Sequence, residues 1–547
     1  MRRRYRLRAK AGLAKPVEID AEPIVIGRHP DCTIRIKDER ASRRHCVIET
    51  DAAGRVVVRD LDSRNGTMVN GVVVGLAVLE PGDVIGIGRT EFAVETDARQ
   101  ELTLDSASGE LARRGGGANG AMRALWADEL QAVLDHLTPA RATEPTVEVI
   151  DANGKRLDNL DKRGDGGVAF QLIMQIAEKA KATDVHMEPT TETWRVRMRV
   201  DGQMVWIGEL PKKVGELVEG LVRTAAAMQQ AARDAVMDGH CAIRYESRRI
   251  DMRVSLAPSV HGRKLVIRVL DGAHAPRSIE ELGLPRMMID PIRAVCKKDA
   301  GLLLVCGPTG SGKTTTLHNA LREVDRDARN VITIEDPVEY HLEGVTQIPI
   351  DEHKGNDFKA LLRSVLRQDP DVIMVGEIRD EETARTAMQA SMTGHVVFTT
   401  VHAKDTIGAI FRLLDLGVEP YLVANSMDLV LAQRLVRVLC DRCKRAVPVP
   451  PGEASRIGKF LEGKTQSYVP VGCDACLGTG YRGRRAVFEL LRVEEEIRDL
   501  ILNSPSIGGI RKAAERGLFT TLQQSGWRLA SEGATSLEEV ERVTGGG

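Results

Sequence analysis

The 547-residue chain has no stretch approaching the roughly 18 uninterrupted apolar residues that a membrane span needs. Its basic start, MRRRYRLRAK, is followed by no apolar core of a secretory signal, so the expected location is cytosolic. Net charge is also missing: 77 Lys and Arg stand against 78 Asp and Glu, for a formal charge of -1. Nothing global therefore argues for nucleic acid or an acidic membrane surface as a partner, and any electrostatic recognition must be local. Cysteine is scarce, at nine residues. In a reducing compartment clustered cysteines read as metal ligands and scattered ones as small core residues. Cys32, Cys46, Cys241, Cys296 and Cys306 are scattered, whereas Cys440, Cys443, Cys473 and Cys476 are clustered.

The length predicts roughly three or four domains. Residues 1–100 carry short alternating runs (EPIVIG, TIRIKD, HCVIET, RVVVRDL, DVIGIG, EFAVET) between Gly, Asp and Asn turns, the pattern of an all-β sandwich. Residues 101–165 contain RRGGGANG and polar stretches and read as a flexible linker. One island there, MRALWADELQAVLDHL, has the apolar spacing of a single amphipathic helix, with Leu125, Trp126, Val133, Leu134 and Leu137 as its apolar positions. Residues 166–275 join a helical run, VAFQLIMQIAEKAKA, to strand-like runs and predict an α+β domain. From 276 to 547 apolar strands (GLLLVCG, NVITIED, DVIMVGE, GHVVFTT) alternate with helical stretches, which predicts an α/β domain with a mostly parallel sheet covered on both faces.

That last region begins with a phosphate-cradling loop. GLLLVCGPTGSGKTTTLHNAL holds G-x-x-x-x-G-K-T after an apolar run and before a helical one, the context the motif requires. Gly307, Pro308, Thr309, Gly310, Ser311, Gly312, Lys313, Thr314 and Thr315 would form the loop around the phosphates of ATP, with backbone N–H groups from all but Pro308 turned toward them. Lys313 would reach the β/γ-phosphates and Thr314 the Mg²⁺ ion. VITIEDPVEY ends an apolar run in Glu335 and Asp336, and QDPDVIMVGEIRD runs into Gly376 and Glu377. One of these acids would orient or deprotonate the water and the other hold the metal shell. Farther on, Cys440-x₂-Cys443, 29 intervening residues, then Cys473-x₂-Cys476 match a closed, four-thiolate structural Zn²⁺ site.

Together GPTGSGKTTTL, ITIEDPVEY, LLRSVLRQDPDVIMVGEIRDEETA, TGHVVFTTVHA and AQRLVRVLCDRCK resemble the Walker A, Asp box, Walker B, His box and zinc-module start of the type II secretion and type IV pilus assembly ATPases. The resemblance spans about Gly166 to Thr520. It implies a PAS-like middle domain over 166–275 and a RecA-like ATPase domain over 276–547, with the zinc module at about 436–490 and helices at the C-terminus. It also implies Glu335 as catalytic base, Glu377 as the Walker B acid sharing Mg²⁺ with Thr314, and His395 and His402 as γ-phosphate residues. Ala403 follows His402 where the family usually has Thr, and His240 in DGHCAIRY stands where Arg is usual. Arg199, Arg223, Arg412 and Arg484 resemble the family's cations, some of which reach a neighbouring subunit's nucleotide, so a homo-oligomeric ring, commonly a hexamer, is implied. The tetracysteine module favours extension or secretion over retraction. The function expected is a motor at the cytoplasmic face of the inner membrane, pushing on a membrane platform protein to assemble a type IV pilus or a type II secretion pseudopilus. Two rivals stand beside it: the tight-adherence or conjugation branch, and a nucleotide-gated phosphoprotein adaptor with little hydrolysis.

Near the start, Gly27-Arg28, SRRH at Ser42–His45, LDSRNGT at Leu61–Thr67 and Asn70-Gly71 resemble the forkhead-associated (FHA) domain. The resemblance implies recognition of a phosphothreonine made by a Ser/Thr kinase, on a partner or on this chain. Arg28, Ser42 and Arg43 would donate to the phosphate, Asn65 would hold the ligand backbone, and His45 would brace the loop. Arg35, Lys37, Arg40 and Arg44 tune attraction or stay solvated, so the basic patch reads as a phosphopeptide site and not a nucleic-acid one.

Overall fold

The computed structural model describes residues 5–9, 17–19, 23–36, 38, 40–50, 56–69, 72–79, 83–88, 90–96, 118–137, 147–157, 164–228, 235–245, 248–272, 275–449, 451–461, 463–517 and 519–545. Lys37, Asn70 and Gly71 lie outside these. Contacts divide the chain into a first unit centred on the N-terminal residues up to Ala132 and a second that holds most of the remainder.

In the first unit the alternating runs form two sheets, of six and five strands. Ile26, Ile48, Val58, Ile85 and Ile87 are fully buried between them. In Val84–Ile87 every second residue is buried, the period-2 pattern read from the sequence. The antiparallel register Ile26↔Cys46 sets the turn after Gly27 beside Ser42–His45. Gly27 is required there by close approach: a Cβ would stand 2.4 Å from the Arg43 carbonyl oxygen.

The expected linker helix is Ala118–Leu137, with Trp126, Leu130, Leu134 and Leu137 buried at helical spacing and Leu125 exposed. One strand was not foreseen. Val147–Ile150 falls within the span read as linker, yet it pairs with Met237–Tyr245 at the edge of the middle sheet. VEVI is four residues long, too short for alternation to announce it; the pairing partner almost a hundred residues away creates it. The middle sheet runs Val147–Ile150, Met237–Tyr245, Arg248–Ser259, Gly262–Leu270, Ala182–Pro189, Thr193–Val200, Gln203–Pro211. Helices Gly164–Lys179 and Lys212–Ala225 pack on each other and on this sheet.

The C-terminal region is built on the strand order Thr346–Pro349, Val331–Glu335, Val372–Val375, Val396–Val401, Gly301–Cys306, Leu429–Leu439, Tyr481–Arg492. The first six are parallel and the last is antiparallel. In Gly301–Cys306 every residue is buried, and alternate residues enter different cores. Leu302, Leu304 and Cys306 join one, Leu303 and Val305 the other. A sheet covered on both faces requires such a continuous apolar run. Among the described residues no helix is long and apolar enough to cross a membrane.

Candidate nucleotide, phosphopeptide and metal sites

Parallel strands bring their carboxyl ends to one edge, where open α/β sheets place their ligands. Gly301–Cys306 feeds the phosphate loop, which ends in the helix Lys313–Arg322. Gly310 (φ 76°) and Gly312 (φ 86°) are left-handed, and a Cβ on Gly312 would meet the Gln433 side-chain nitrogen at 2.8 Å. Lys313 Nζ donates to the carbonyls of Gly307 (2.9 Å) and Pro308 (3.1 Å). Burial pulls its pKa down, while the charge of nearby Glu377 pulls it up.

Register places the acids next. Gly376 N donates to Ile334 O at 2.8 Å, and Thr400 Oγ1 to Gly376 O at 2.7 Å, so Glu335, Glu377 and His402 end three neighbouring strands. Glu377 Oε2 is 3.2 Å from His402 Nε2, and its other oxygen pairs with Arg379. Glu335 is buried at 2% exposure and accepts from Thr333 Oγ1 (2.7 Å), Gln347 Nε2 (2.9 Å) and His318 Nε2 (3.0 Å). Burial pushes its carboxyl up, but hydrogen bonds led by His318 outweigh this and hold it below the usual range. It is ionised at neutral pH and so able to receive a proton.

In the first unit, Arg28 N donates to Ser42 O (3.0 Å) and Arg28 Nε to Ala41 O (3.0 Å). Arg43 is exposed and pairs with no acid among the described residues. Ser42 Oγ accepts from Arg64 N (3.0 Å), and Asn65 Nδ2 donates to Arg40 O (2.7 Å), which leaves the Asn65 carbonyl oxygen open. His45 is fully buried; its Nδ1 accepts from Ser42 N (3.1 Å) while Nε2 donates to Gly66 O (3.2 Å), tying the loops that carry Ser42 and Gly66 together. Asp60 organises the same region. Burial raises its pKa, yet hydrogen bonds from Thr67 and Ser63 more than offset this and keep it ionised below the usual range.

Sulfur atoms of Cys440, Cys443, Cys473 and Cys476 all lie within 4.8 Å of one another. Cys440–Cys473 and Cys443–Cys476 are 3.9 Å apart and Cys473–Cys476 is 3.7 Å. A tetrahedron with Zn–S near 2.3 Å sets neighbouring sulfurs roughly 3.8 Å apart, so the four thiolates fit zinc. Amides of Gly472, Cys473 and Gly480 donate to these sulfurs at 3.2–3.3 Å, as thiolates require.

Comparison with known proteins agrees with this geometry. The profile of the Type II/IV secretion system protein family matches residues 165–542, and that of the FHA domain residues 24–88. The chain belongs to the type II/IV secretion ATPase family. It is 39% identical over 389 residues to the type II secretion system protein E of Aeromonas hydrophila, covering 71% of this chain and 77% of that one. It is 37% identical over 409 residues to the type IV pilus assembly ATPase PilB of Myxococcus xanthus, covering 72% and 71%. In fold it resembles the Legionella pneumophila ATPase DotB, with a TM-score of 0.53 at 21% identity over 69% of this chain and 95% of that one. The protein is a secretion ATPase with an N-terminal FHA domain, and its family uses ATP with Mg²⁺.

Within one chain, not every residue marked by the secretion ATPase resemblance reaches the phosphate loop. His395 precedes the strand Val396–Val401 and His402 follows it, roughly 23 Å apart at about 3.3 Å per residue. Because that strand runs parallel to the one feeding the loop, only His402 is at the nucleotide edge; His395 Nδ1 instead lies 3.0 Å from Ala390 O. Arg199 donates to Gly202 O (3.1 Å), Arg223 stands 3.9 Å from Glu219 on its own helix, and Arg412 is exposed in the last turn of Thr406–Asp415. Arg484 does line a cavity with the loop residue Gly310, in company with Arg437 and Arg542. A larger cavity, about 1430 Å³, lies between the middle sheet and the Asp-box segment; His240, Arg253, Arg268, Arg322 and Tyr340 line it. Sequence reasoning also passed over Gln433 and Arg434, which brace the loop from behind: Thr316 Oγ1 donates to Gln433 Oε1 (2.6 Å), and the Arg434 guanidinium spans the carbonyls of Gln433, Ala403 and Lys404. AQRLVR carried that signal, but nothing local in it points back to a loop over a hundred residues earlier.

Proposed function

We propose that this secretion ATPase is a hexameric motor at the cytoplasmic face of the inner membrane, whose ATP turnover drives assembly of pilin-like subunits, and that its FHA domain places the motor under phosphothreonine control. The observation carrying the reading is the meeting of Lys313, Glu335, Glu377 and His402 at one sheet edge. Backbone N–H groups of Thr309–Thr315 bind the phosphates and Lys313 neutralises their outer charge. Thr314 and Glu377 would hold Mg²⁺, which would neutralise charge developing on the phosphoryl oxygens. Glu335 receives the proton of the attacking water. Phosphoryl transfer asks mainly for positioning and charge stabilisation, so a carboxylate of depressed basicity suffices. His402 holds the Glu377 carboxylate from the neighbouring strand end. Arg484 is the cation best placed to act on phosphates bound by its own chain, since it lines one cavity with the loop residue Gly310.

Mass measurement of the full chain with a non-hydrolysed ATP analogue tests the ring: a sixfold mass is expected, and a monomer at every nucleotide and protein concentration defeats it. On the FHA side, Arg43→Ala in the full chain is expected to weaken a selected phosphothreonine peptide by about 10- to 100-fold, the worth of a hydrogen bond to a charged group. Calorimetry reads this directly. Binding of a phosphothreonine peptide library no tighter than its unphosphorylated counterpart removes the phosphothreonine reading.

A further inference from the structure

Glu335 is not held by its own strand alone. His318 lies on the phosphate-loop helix, four residues after Thr314 and therefore on the same helix face. Its side chain is fully buried and its Nε2 is 3.0 Å from Glu335 Oε2. An ionised carboxylate only accepts, so Nε2 carries the proton and donates. Tyr340 meets the imidazole edge-on, with centroids 4.6 Å apart and planes at 88°, which fixes the ring plane. Nδ1 has no hydrogen-bond partner among the described residues, so the Glu335 contact is the polar contact that orients the ring. On the carboxylate the division is equally sharp: Thr333 and Gln347 donate to Oε1, and His318 serves Oε2.

We infer that His318 is a positioning residue for ATP hydrolysis, tying the helix that carries Thr314 to the carboxylate that receives the water's proton, so that base and bound phosphate keep a fixed separation. The inference rests on the reading of Glu335 as that base. The helix start moves with the phosphates, and a buried hydrogen bond from the same helix makes Glu335 follow it. Without His318, Oε2 loses its donor and the carboxylate is free to rotate about its remaining anchors at Oε1. A displacement of about 1 Å at a reacting group can cost on the order of 100-fold in rate.

The test uses the full chain. His318→Phe keeps the ring against Tyr340 and removes the donor; His318→Gln returns an N–H near the former Nε2. Expected for Phe is a kcat for ATP reduced about 10- to 100-fold, with analogue Kd and melting temperature near the parent values; Gln recovers most of the loss. In a Glu335→Gln background, His318→Phe should add little further loss, because the two act through one contact. Should Phe prove unstable, His318→Asn, whose amide is too short to reach Oε2, replaces it with the same expectation. Parental kcat in Phe or Asn, equal losses in Phe and Gln, or a loss confined to Kd overturns the inference. Turnover retained in Glu335→Gln alone instead overturns the assignment of the base, whatever His318 does.

Discussion

Replacing Lys313 by alanine is expected to lower ATP turnover by at least about 100-fold, the scale of losing one preorganised charge-stabilising donor. Lys313 contributes little to the fold that water cannot replace. Its ammonium group binds two carbonyls of its own loop, Gly307 O and Pro308 O, and both are free to hydrate once it is gone. The loop geometry depends instead on left-handed Gly310 and Gly312 and on the Gln433 and Arg434 brace behind it. The melting temperature should therefore stay within a few degrees while turnover collapses. Binding should suffer as well, since the same ammonium group faces phosphate in the ground state, and kcat/KM should fall further than kcat. Glu335→Gln gives the complementary pattern: the isostere keeps most of the buried contacts, so nucleotide binding persists while kcat drops. A steady-state assay on both variants beside parent protein separates them, and undiminished turnover in Lys313→Ala would remove the loop from the catalytic account.

Stripping zinc, or replacing Cys476 by serine, is expected to produce the largest loss of structure. The four cysteines sit at the neck of an insertion between two paired strands: Leu439 opposes Tyr481, and Cys440 N donates to Gly480 O at 2.9 Å. Inside the insertion the core is thin. Ile457 and Leu461 of the helix Pro451–Leu461 pack with Trp527, Ala530, Leu537 and Val540 of the C-terminal helices. A structural zinc site of this type supplies about 10–16 kcal/mol of apparent binding free energy at neutral pH, far more than so small a cluster provides. With a high-affinity chelator the insertion should become protease-sensitive and the melting transition fall by tens of degrees or split in two. ATP binding is expected to outlast this change, because the phosphate loop lies on a different part of the sheet. Elemental analysis of purified protein should return about one zinc per chain. Metal-free protein with an unchanged transition, or a Cys476→Ser variant as stable as the parent, contradicts the assignment.

The structure also clarifies which inferences a linear reading can support. GPTGSGKTTT could be placed on a strand–loop–helix because each requirement is local: an apolar run, glycines at left-handed positions, a helix start. The cysteine pairs were equally legible, since two C-x₂-C turns already hold their own thiolates close. His395 and His402 show where this stops. Both occur in one short motif, yet a strand between them carries one away from the nucleotide edge. The arginines mark the same limit: Arg199 and Arg223 find carbonyl or acidic neighbours nearby, while Arg542, which no motif announces, joins Arg437 and Arg484 at the loop.

What the sequence alone determined was the class of each part: an FHA sandwich, an α+β middle domain, a P-loop sheet and a four-cysteine cluster. Periodicity, glycine placement and cysteine spacing act over a few residues and need no partner. Only the tertiary structure decided which groups His45 ties together, Ser42 N and Gly66 O, that Val147–Ile150 extends the middle sheet, and that His318 reaches Glu335. Each of those depends on strand register or on the packing of a helix against a sheet, and so on residues 17 apart in the Glu335 contact and nearly a hundred apart in the Val147–Ile150 pairing.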